Sequence, residues 1–260
     1  MAHACLLRSA FTTVNLLLLE EQDFIARDEI EIVARDTRYQ HIKKILRLAP
    51  PDTLKAGVWQ KHLGTLQLTA FDHHSLRGIY QPHHDITPSP SPIDLILGAT
   101  RPIVMKRLLK DIATLGIRSL TIFASENGEK SYLASSLWHD EAYLIPIKEG
   151  LSQGVLVHPP QINLARSLHH ALKIRNELFS PTSYAFILDP YSQEHRQIPS
   201  KIDMTEQSIT LLIGAERGFT PQEINMAKEH FFRPLAISPR ILRTETAVTA
   251  SIILAQQACF

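Results

Sequence analysis

Two short stretches in the last fifth of the chain gather residue types that can bind and act on a small ligand. In Leu211-Leu212-Ile213-Gly214-Ala215-Glu216-Arg217-Gly218-Phe219-Thr220-Pro221-Gln222-Glu223, a buried-strand pattern ends in a turn with two glycines, and a helix starts at once. Thr220 can cap that helix, Pro221 suits its first position, and Glu223 stands where a capping box needs a carboxylate. Strand ends of this kind are where open α/β sheets bind ligands. The spacing is not GxGxxG, so no dinucleotide fingerprint is present, and on these residues alone an ordinary strand-to-helix turn is the favoured reading. The second stretch is Ile237-Ser238-Pro239-Arg240-Ile241-Leu242-Arg243-Thr244-Glu245-Thr246-Ala247. Thr244 can cap the final helix, with Glu245 at its positive end. Capping does not explain Ile241 and Leu242 in a loop between two arginines. Contact with the flat ring of a ligand, framed by cations, would.

These loops need strands and helices to hold them. From Ile93 onward, strands alternate with helices. Strands are expected at Ile93–Gly98, Ser119–Ala124, Tyr184–Leu188, Ser208–Gly214 and Pro234–Ile237. Helices are expected at Pro102–Leu115, Leu164–Phe179, Pro221–Phe231 and from about Glu245 to the end, with Tyr132–Gly154 helical in parts and broken or kinked at Pro146. Such alternation means an α/β domain with a parallel sheet covered on both faces.

Ahead of it, a polar run from Gln81 to Pro92 holds four of the 16 prolines and reads as a linker. It places a domain boundary near residue 85, with a small domain over 1–85 and a larger one over 86–260. The small domain reads as mostly β, with strands at Leu16–Leu19, Glu29–Val33, Leu54–Trp59, Gly64–Phe71 and Leu76–Tyr80. One basic helix interrupts them, capped by Thr37, with Ile42, Ile45 and Leu46 on its apolar stripe.

A length of 260 residues suits one large domain or two smaller ones, and 44% hydrophobic residues can fill their cores. Two cysteines at opposite ends, Cys5 and Cys259, argue against a disulfide scaffold and for a reducing compartment. No metal site is expected, since no Cys/His spacing suits zinc and the pairs His73-His74, His83-His84 and His169-His170 read as solvated. No apolar run is long enough for a transmembrane helix, and Glu20 and Glu21 close the stretch at Leu16–Leu19, so a cytoplasmic protein is expected. A net charge of +1 does not announce a nucleic-acid binder. Locally, Thr37 to His62 carries six basic side chains against Asp52 alone. That stretch is either a solvated helix face and hairpin or a phosphate-binding surface.

Taken in order, Gly214-Ala-Glu-Arg-Gly-Phe-Thr with Glu223-Ile224, then Pro239-Arg-Ile-Leu-Arg-Thr-Glu-Thr-Ala247, resemble the RsmE family. These are SPOUT-class methyltransferases that modify uridine N3 in small-subunit ribosomal RNA. Tyr39-Gln-His41 with Ile45-Leu46-Arg47-Leu48 is similar to that family's HxxxVLR segment, and Leu115-Gly116-Ile117 to its ELGV region. The resemblance implies a SPOUT trefoil-knot domain with a parallel sheet, preceded by a small, mostly-β, PUA-like barrel that binds RNA. It implies a homodimer acting on ribosomal RNA or the small ribosomal subunit, with S-adenosylmethionine as methyl donor and no metal. By position, Leu188, Gly214, Glu216, Gly218, Ile237, Ser238, Ile241, Leu242, Thr244 and Thr246 would hold S-adenosylmethionine. Arg243 and Glu245 would be catalytic. Arg38, His41, Lys43, Lys44, Arg47 and Arg240 would contact RNA.

The chain departs from the family where Ala215 and Arg217 stand in its GPEGG, and where Ser238 replaces a glycine. Asp111 replaces a lysine, Thr114 a glutamate and Leu156 an arginine, and Gly150–Gln153 matches AxEQ only faintly. These changes motivate two alternatives: a knotted RNA-binding homologue without catalysis, and a methyltransferase with a different RNA target.

Overall fold

The computed structural model describes residues 15–83, 88–178, 184–191 and 208–259. The chain forms two compact units, Met1–Pro88 with Leu151–His158 and Ser89–Gly150 with Pro159–Phe260. The division is thus not a single cut near residue 85, because 151–158 returns to the first unit. There Val157 packs with Leu16 and Leu18, and its carbonyl accepts from the Gln60 amide at 2.9 Å.

The first unit contains one five-stranded sheet, made of β1 (Leu17–Leu19), β2 (Glu29–Val33), β3 (Thr53–Val58), β4 (Leu63–Phe71) and β5 (Ser75–Pro82). Their order is β1-β3-β4-β5-β2, antiparallel except for the β1–β3 pair. Alternation produces the burial: in β2, Ile30 and Ile32 enter the core while Glu29, Glu31 and Val33 do not. Helix α1 (Thr37–His41) continues into a π-helical turn, Ile42–Leu46. Its cap is Asp36 rather than Thr37, since the Asp36 carboxylate accepts from the Arg38 amide at 2.8 Å. The π-turn shifts the helical phase, so Ile42 and Leu46 are buried while Ile45 is 65% exposed. The prolines at both ends of the linker belong to strands, Pro82 closing β5 and Pro92 near the start of the next strand, β6 (Ser91–Gly98), where a missing amide donor is tolerated. Residues 84–87 of that stretch, Cys5 and Phe179 lie outside the described residues.

The second unit contains one six-stranded parallel sheet in the order β11-β9-β10-β6-β7-β8. Its strands are β6 (Ser91–Gly98), β7 (Ile117–Phe123), β8 (Gln161–Ala165), β9 (Tyr184–Leu188), β10 (Ile209–Ile213) and β11 (Arg233–Leu235). Central β6 and β10 bury Ile93, Leu95, Ile96 and Leu97 and Ile209, Leu211, Leu212 and Ile213, the continuous apolar pattern of strands covered on both faces. The helices are α2 (Pro102–Leu115), α4 (Leu168–Leu178), α5 (Pro221–Glu229) and α6 (Thr244–Cys259), while α3 (Leu144–Gly154) begins in this unit and its residues 151–154 count with the first. Helix α6 packs on β6, β10 and α2, and α4 packs on β7 and β8.

Two sequence expectations change here. Leu164 and Ala165 belong to the edge strand β8, which pairs with β7, and α4 starts only at Leu168. Pro146 neither breaks nor kinks a helix, because α3 begins at Leu144 and places it in the first turn, where amide donors have no partner anyway. No described helix is long and apolar enough to cross a membrane.

Candidate active site

The parallel sheet brings five strand ends to one edge, and a cleft of about 840 Å³ opens there. Its walls come from the segments after β6 (Arg101, Val104), β7 (Asn127, Gly128, Glu129, Tyr132) and β9 (Leu188 to Tyr191). The rest comes from Ile213–Phe219 after β10 and from Leu235–Ser238 and Arg240–Glu245 after β11. The volume falls in the usual range of ligand pockets, about 300–1,000 Å³.

Backbone constraints shape the β10 loop. Gly98 has no room for a side chain, since a Cβ there would strike the amide nitrogen of Ala215, so β6 and this loop approach to backbone contact. Gly218 sits at φ +66°, and its amide donates to the Ala215 carbonyl at 2.9 Å, closing a tight turn. Arg217 does not need glycine's freedom: the left-handed position is 218, still a glycine, and the Arg217 side chain is exposed. Ser238 also fits its turn, accepting from the Arg240 amide at 3.1 Å and pinning the start of the Arg240–Arg243 segment.

The capping box at the head of α5 reaches beyond its helix. Thr220 Oγ1 accepts from the Glu223 amide at 3.1 Å, and one Glu223 oxygen accepts from the Thr220 amide at 2.9 Å. The other Glu223 oxygen accepts from the Glu126 amide at 3.1 Å, and Thr220 Oγ1 donates to the Glu126 carboxylate at 2.9 Å. Glu223 is 1% exposed. One buried carboxylate therefore ties the loop after β7 to the loop after β10, two walls of the cleft. The sequence marks Glu223 as a cap; the second tie depends on β7 lying one strand beyond β6, which the chain order does not disclose.

Of the ten residues expected to hold a ligand, Leu188, Gly214, Glu216, Gly218, Ile237, Ser238, Ile241, Leu242 and Thr244 line the cleft. Arg240, Arg243 and Glu245 line it too. Thr246 does not: two positions past Thr244 on α6, it is carried about 200° around the helix and lies exposed. Thr244 is the first residue of α6 rather than its cap, and it is buried. Glu216 already has a partner, since its Oε1 accepts from the Arg101 amide at 3.2 Å at the positive end of α2. Arg240 and Arg243 are exposed and form no ion pair with another described residue. The wall after β7 and the head of α2 were not legible as site residues, because only the sheet order brings them beside β10. Among the described residues there is no cluster able to hold a metal ion.

Apart from Arg240 at the cleft, the basic residues expected to meet RNA lie in the first unit and divide into two kinds. His41, Lys44 and Arg47 are exposed, and Lys43 stands 5.3 Å from the Tyr39 ring centre while donating to its hydroxyl at 3.1 Å. Arg38 is a correction. Its guanidinium donates to both Asp23 oxygens at 2.7 and 2.8 Å, to Asp36 at 2.7 Å and to the Leu18 carbonyl at 2.9 Å. These acceptors use up the planar fork, so Arg38 is a structural clasp and has no donors left for phosphate.

A parallel sheet with a glycine-turned, arginine-framed cleft at its carboxyl edge is the arrangement of an α/β ligand-binding domain. The RNA methyltransferase domain family matches residues 87–256. The ribosomal RNA small subunit methyltransferase E of Treponema pallidum (strain Nichols) is 27% identical over 238 residues, covering 92% of this chain and 89% of its own length. Ribosomal RNA small subunit methyltransferase E 1 of Borreliella burgdorferi is 29% identical over 260 residues, covering 94% and 98%. The crystal structure of a ribosomal RNA small subunit methyltransferase E from Neisseria gonorrhoeae, bound to S-adenosyl methionine, superposes with a TM-score of 0.73 at 20% identity. That match covers 94% of this chain and 97% of the other, and establishes a common fold. The chain belongs to the RNA methyltransferase family.

Proposed function

We propose that this protein methylates N3 of a uridine in small-subunit (16S) ribosomal RNA, with S-adenosylmethionine as methyl donor. The observation that carries this reading is the meeting of Arg240, Ile241, Leu242, Arg243 and Glu245 with the β10 loop in one cleft. The relatives named for small-subunit ribosomal RNA support the substrate. The cleft's chemistry fits the donor: Leu188, Ile237, Ile241 and Leu242 offer apolar contact to a purine ring, and the turn from Gly214 to Gly218 offers backbone groups to polar edges. When bound, S-adenosylmethionine supplies an electrophilic methyl group on a sulfonium.

The protein's own residues account for the rest. N3 lies on the pairing edge of uridine, so the cleft must receive the base unpaired. N3 becomes nucleophilic only as its proton leaves, and the negative charge then spreads to the two flanking carbonyl oxygens. Arg243 presents the planar donor fork of a guanidinium at the cleft wall, so it stabilises that charge. Glu245, in the first turn of α6 and on the cleft wall, serves as a proton acceptor or a ribose contact. Arg240, exposed at the rim, contacts the RNA backbone.

Around this reaction we place a PUA-like first unit whose His41, Lys43, Lys44 and Arg47 hold RNA, a trefoil-knotted second unit, a homodimeric assembly and a cytoplasmic location. A silent RNA-binding homologue is motivated by Arg217, Ser238, Asp111 and Leu156; of these, Arg217 and Ser238 do not disturb the turns in which they sit. Calorimetric titration with S-adenosylmethionine, followed by methyl transfer to unmethylated small-subunit RNA, tests the reading. Saturable binding near one per chain, with methyl found on uridine N3, is expected. A folded protein that binds no S-adenosylmethionine would overturn it in favour of the silent homologue.

A further inference from the structure

We propose that the exposed face of α2 is a phosphate-binding track on which the RNA strand lies as it enters the cleft. The proposal rests on the methyltransferase reading for its substrate, but its evidence is the electrostatics of α2. Arg101 lines the cleft at the head of this helix, and exposed Lys106, Arg107 and Lys110 follow it. At about 1.5 Å of rise per residue, these cations cover about 14 Å, room for a short run of nucleotides.

Helix stability does not explain them. A helix gains from acids in its first turn and loses from cations there, yet α2 has no acid in that turn and begins with an arginine whose side chain gives no cap. Lys106 and Lys110 stand four apart, a like-charge spacing that costs helix stability. Lys110 recovers part of this through Glu149 at 3.0 Å. Lys106 and Arg107 form no ion pair with a described residue, although exposed Asp111, four residues after Arg107, gives that arginine the weak attraction of opposite charges at this spacing. The Glu216 carboxylate, borrowed from the β10 loop, meets only the Arg101 amide. Positive charge is thus concentrated on the exposed side of α2, with no net gain to the helix that explains it, beside a cleft a polyanion would enter.

The test is the double substitution Lys106→Gln with Arg107→Gln, both compatible with a helix. Affinity for a fluorescent oligouridine is measured over a range of salt. Losing two phosphate contacts to a single strand should make the slope of log K against log salt shallower by about 1.4. The variant's KM for small-subunit RNA should rise several-fold while its calorimetric affinity for S-adenosylmethionine stays as it was. Its melting temperature should change by no more than about 1 °C, since one like-charge and one opposite-charge pair at i,i+4 are lost together; a merely structural role would lower it. An unchanged salt slope would overturn the proposal. So would an unchanged slope with a shifted sedimentation state, which would instead make this face, with Ile103 64% exposed upon it, a contact between copies of the chain. Failure of the unsubstituted protein to transfer methyl groups would count against the function alone, because the salt slope reads the α2 contacts directly.

Discussion

Two arginines of similar appearance in the sequence meet opposite surroundings. Arg243 stands in the cleft wall with no ion pair to another described residue, available to a developing negative charge. Arg243→Ala should lower kcat about 10²- to 10³-fold, the usual cost of one lost donor to an oxyanion, and change S-adenosylmethionine affinity little. Single-turnover kinetics beside calorimetry checks this, and equal loss in both would remove Arg243 from the chemistry. Arg38 is spent on structure. Asp23 is 5% exposed, so Arg38→Ala leaves a buried carboxylate without its partner, a change that typically costs about 3–5 kcal/mol. Denaturant unfolding should show that loss. At temperatures where the variant remains folded, RNA affinity should be close to that of the unsubstituted protein, since Arg38 has no donor free for phosphate.

At the scale of elements, the β10 loop separates conformational need from chemical preference. Gly218→Ala meets no neighbour within 4 Å, so its cost is backbone strain at φ +66° alone, about 1–2 kcal/mol, with weaker S-adenosylmethionine binding as the turn distorts. Arg217→Gly, by contrast, should leave that affinity within about threefold, because position 217 makes no demand for a positive φ. Thermal melts and calorimetry on the pair settle which glycine the turn requires. Most elements were legible because their patterns are local: α2 runs from Pro102 to Leu115 as its periodicity and Pro-first signature suggest, and the Thr220–Glu223 capping box is present. The failures have local causes too. Strand β8 hides because Leu164 and Ala165 extend the apolar pattern of α4 backward, and only pairing with β7 holds them extended. The π-turn after α1 moves Ile45 out of the core, which a 3.6-residue period cannot anticipate. The two loops carrying most of the cleft were visible as motifs. The walls from β6 and β7 were not, since strand order is set by long-range pairing.

Across the whole molecule, net charge conceals how charges are apportioned. A total of +1 coexists with exposed cations at the cleft rim, along α2 and on the π-turn of the first unit. The same unit contains its own limits of pH stability. Burial opposes the charge on Asp36, but hydrogen bonds from Arg38 outweigh it and hold the carboxyl below its ordinary range. That contribution is present above the unfolded pKa of an aspartate and is lost as pH falls through the folded value. Burial pushes the Tyr80 hydroxyl up to about 12. A raised folded value means its contribution is complete below the unfolded value, about 10, and disappears as pH climbs through 12. Stability of this unit should therefore fall off at both extremes. Ultraviolet titration should find one tyrosine ionising late, with Tyr80→Phe removing that late phase; a normal alkaline titration would refute the assignment.

Position 223 shows how a familiar signature can conceal a narrower requirement. In an ordinary capping box, glutamate and glutamine are interchangeable, because one oxygen returning to the cap amide is enough. Here both oxygens accept from backbone amides, Thr220 on one side and Glu126 on the other. A glutamine offers only one acceptor and turns a donor against the other amide. Glu223→Gln should consequently keep α5 folded while S-adenosylmethionine affinity falls about tenfold, as one buried amide loses its partner and two cleft walls come apart. Circular dichroism and calorimetry together would show it. The tolerance of this site to substitution is thus set by a loop distant in sequence, and a conservative exchange at a helix end becomes a change in the shape of the cleft.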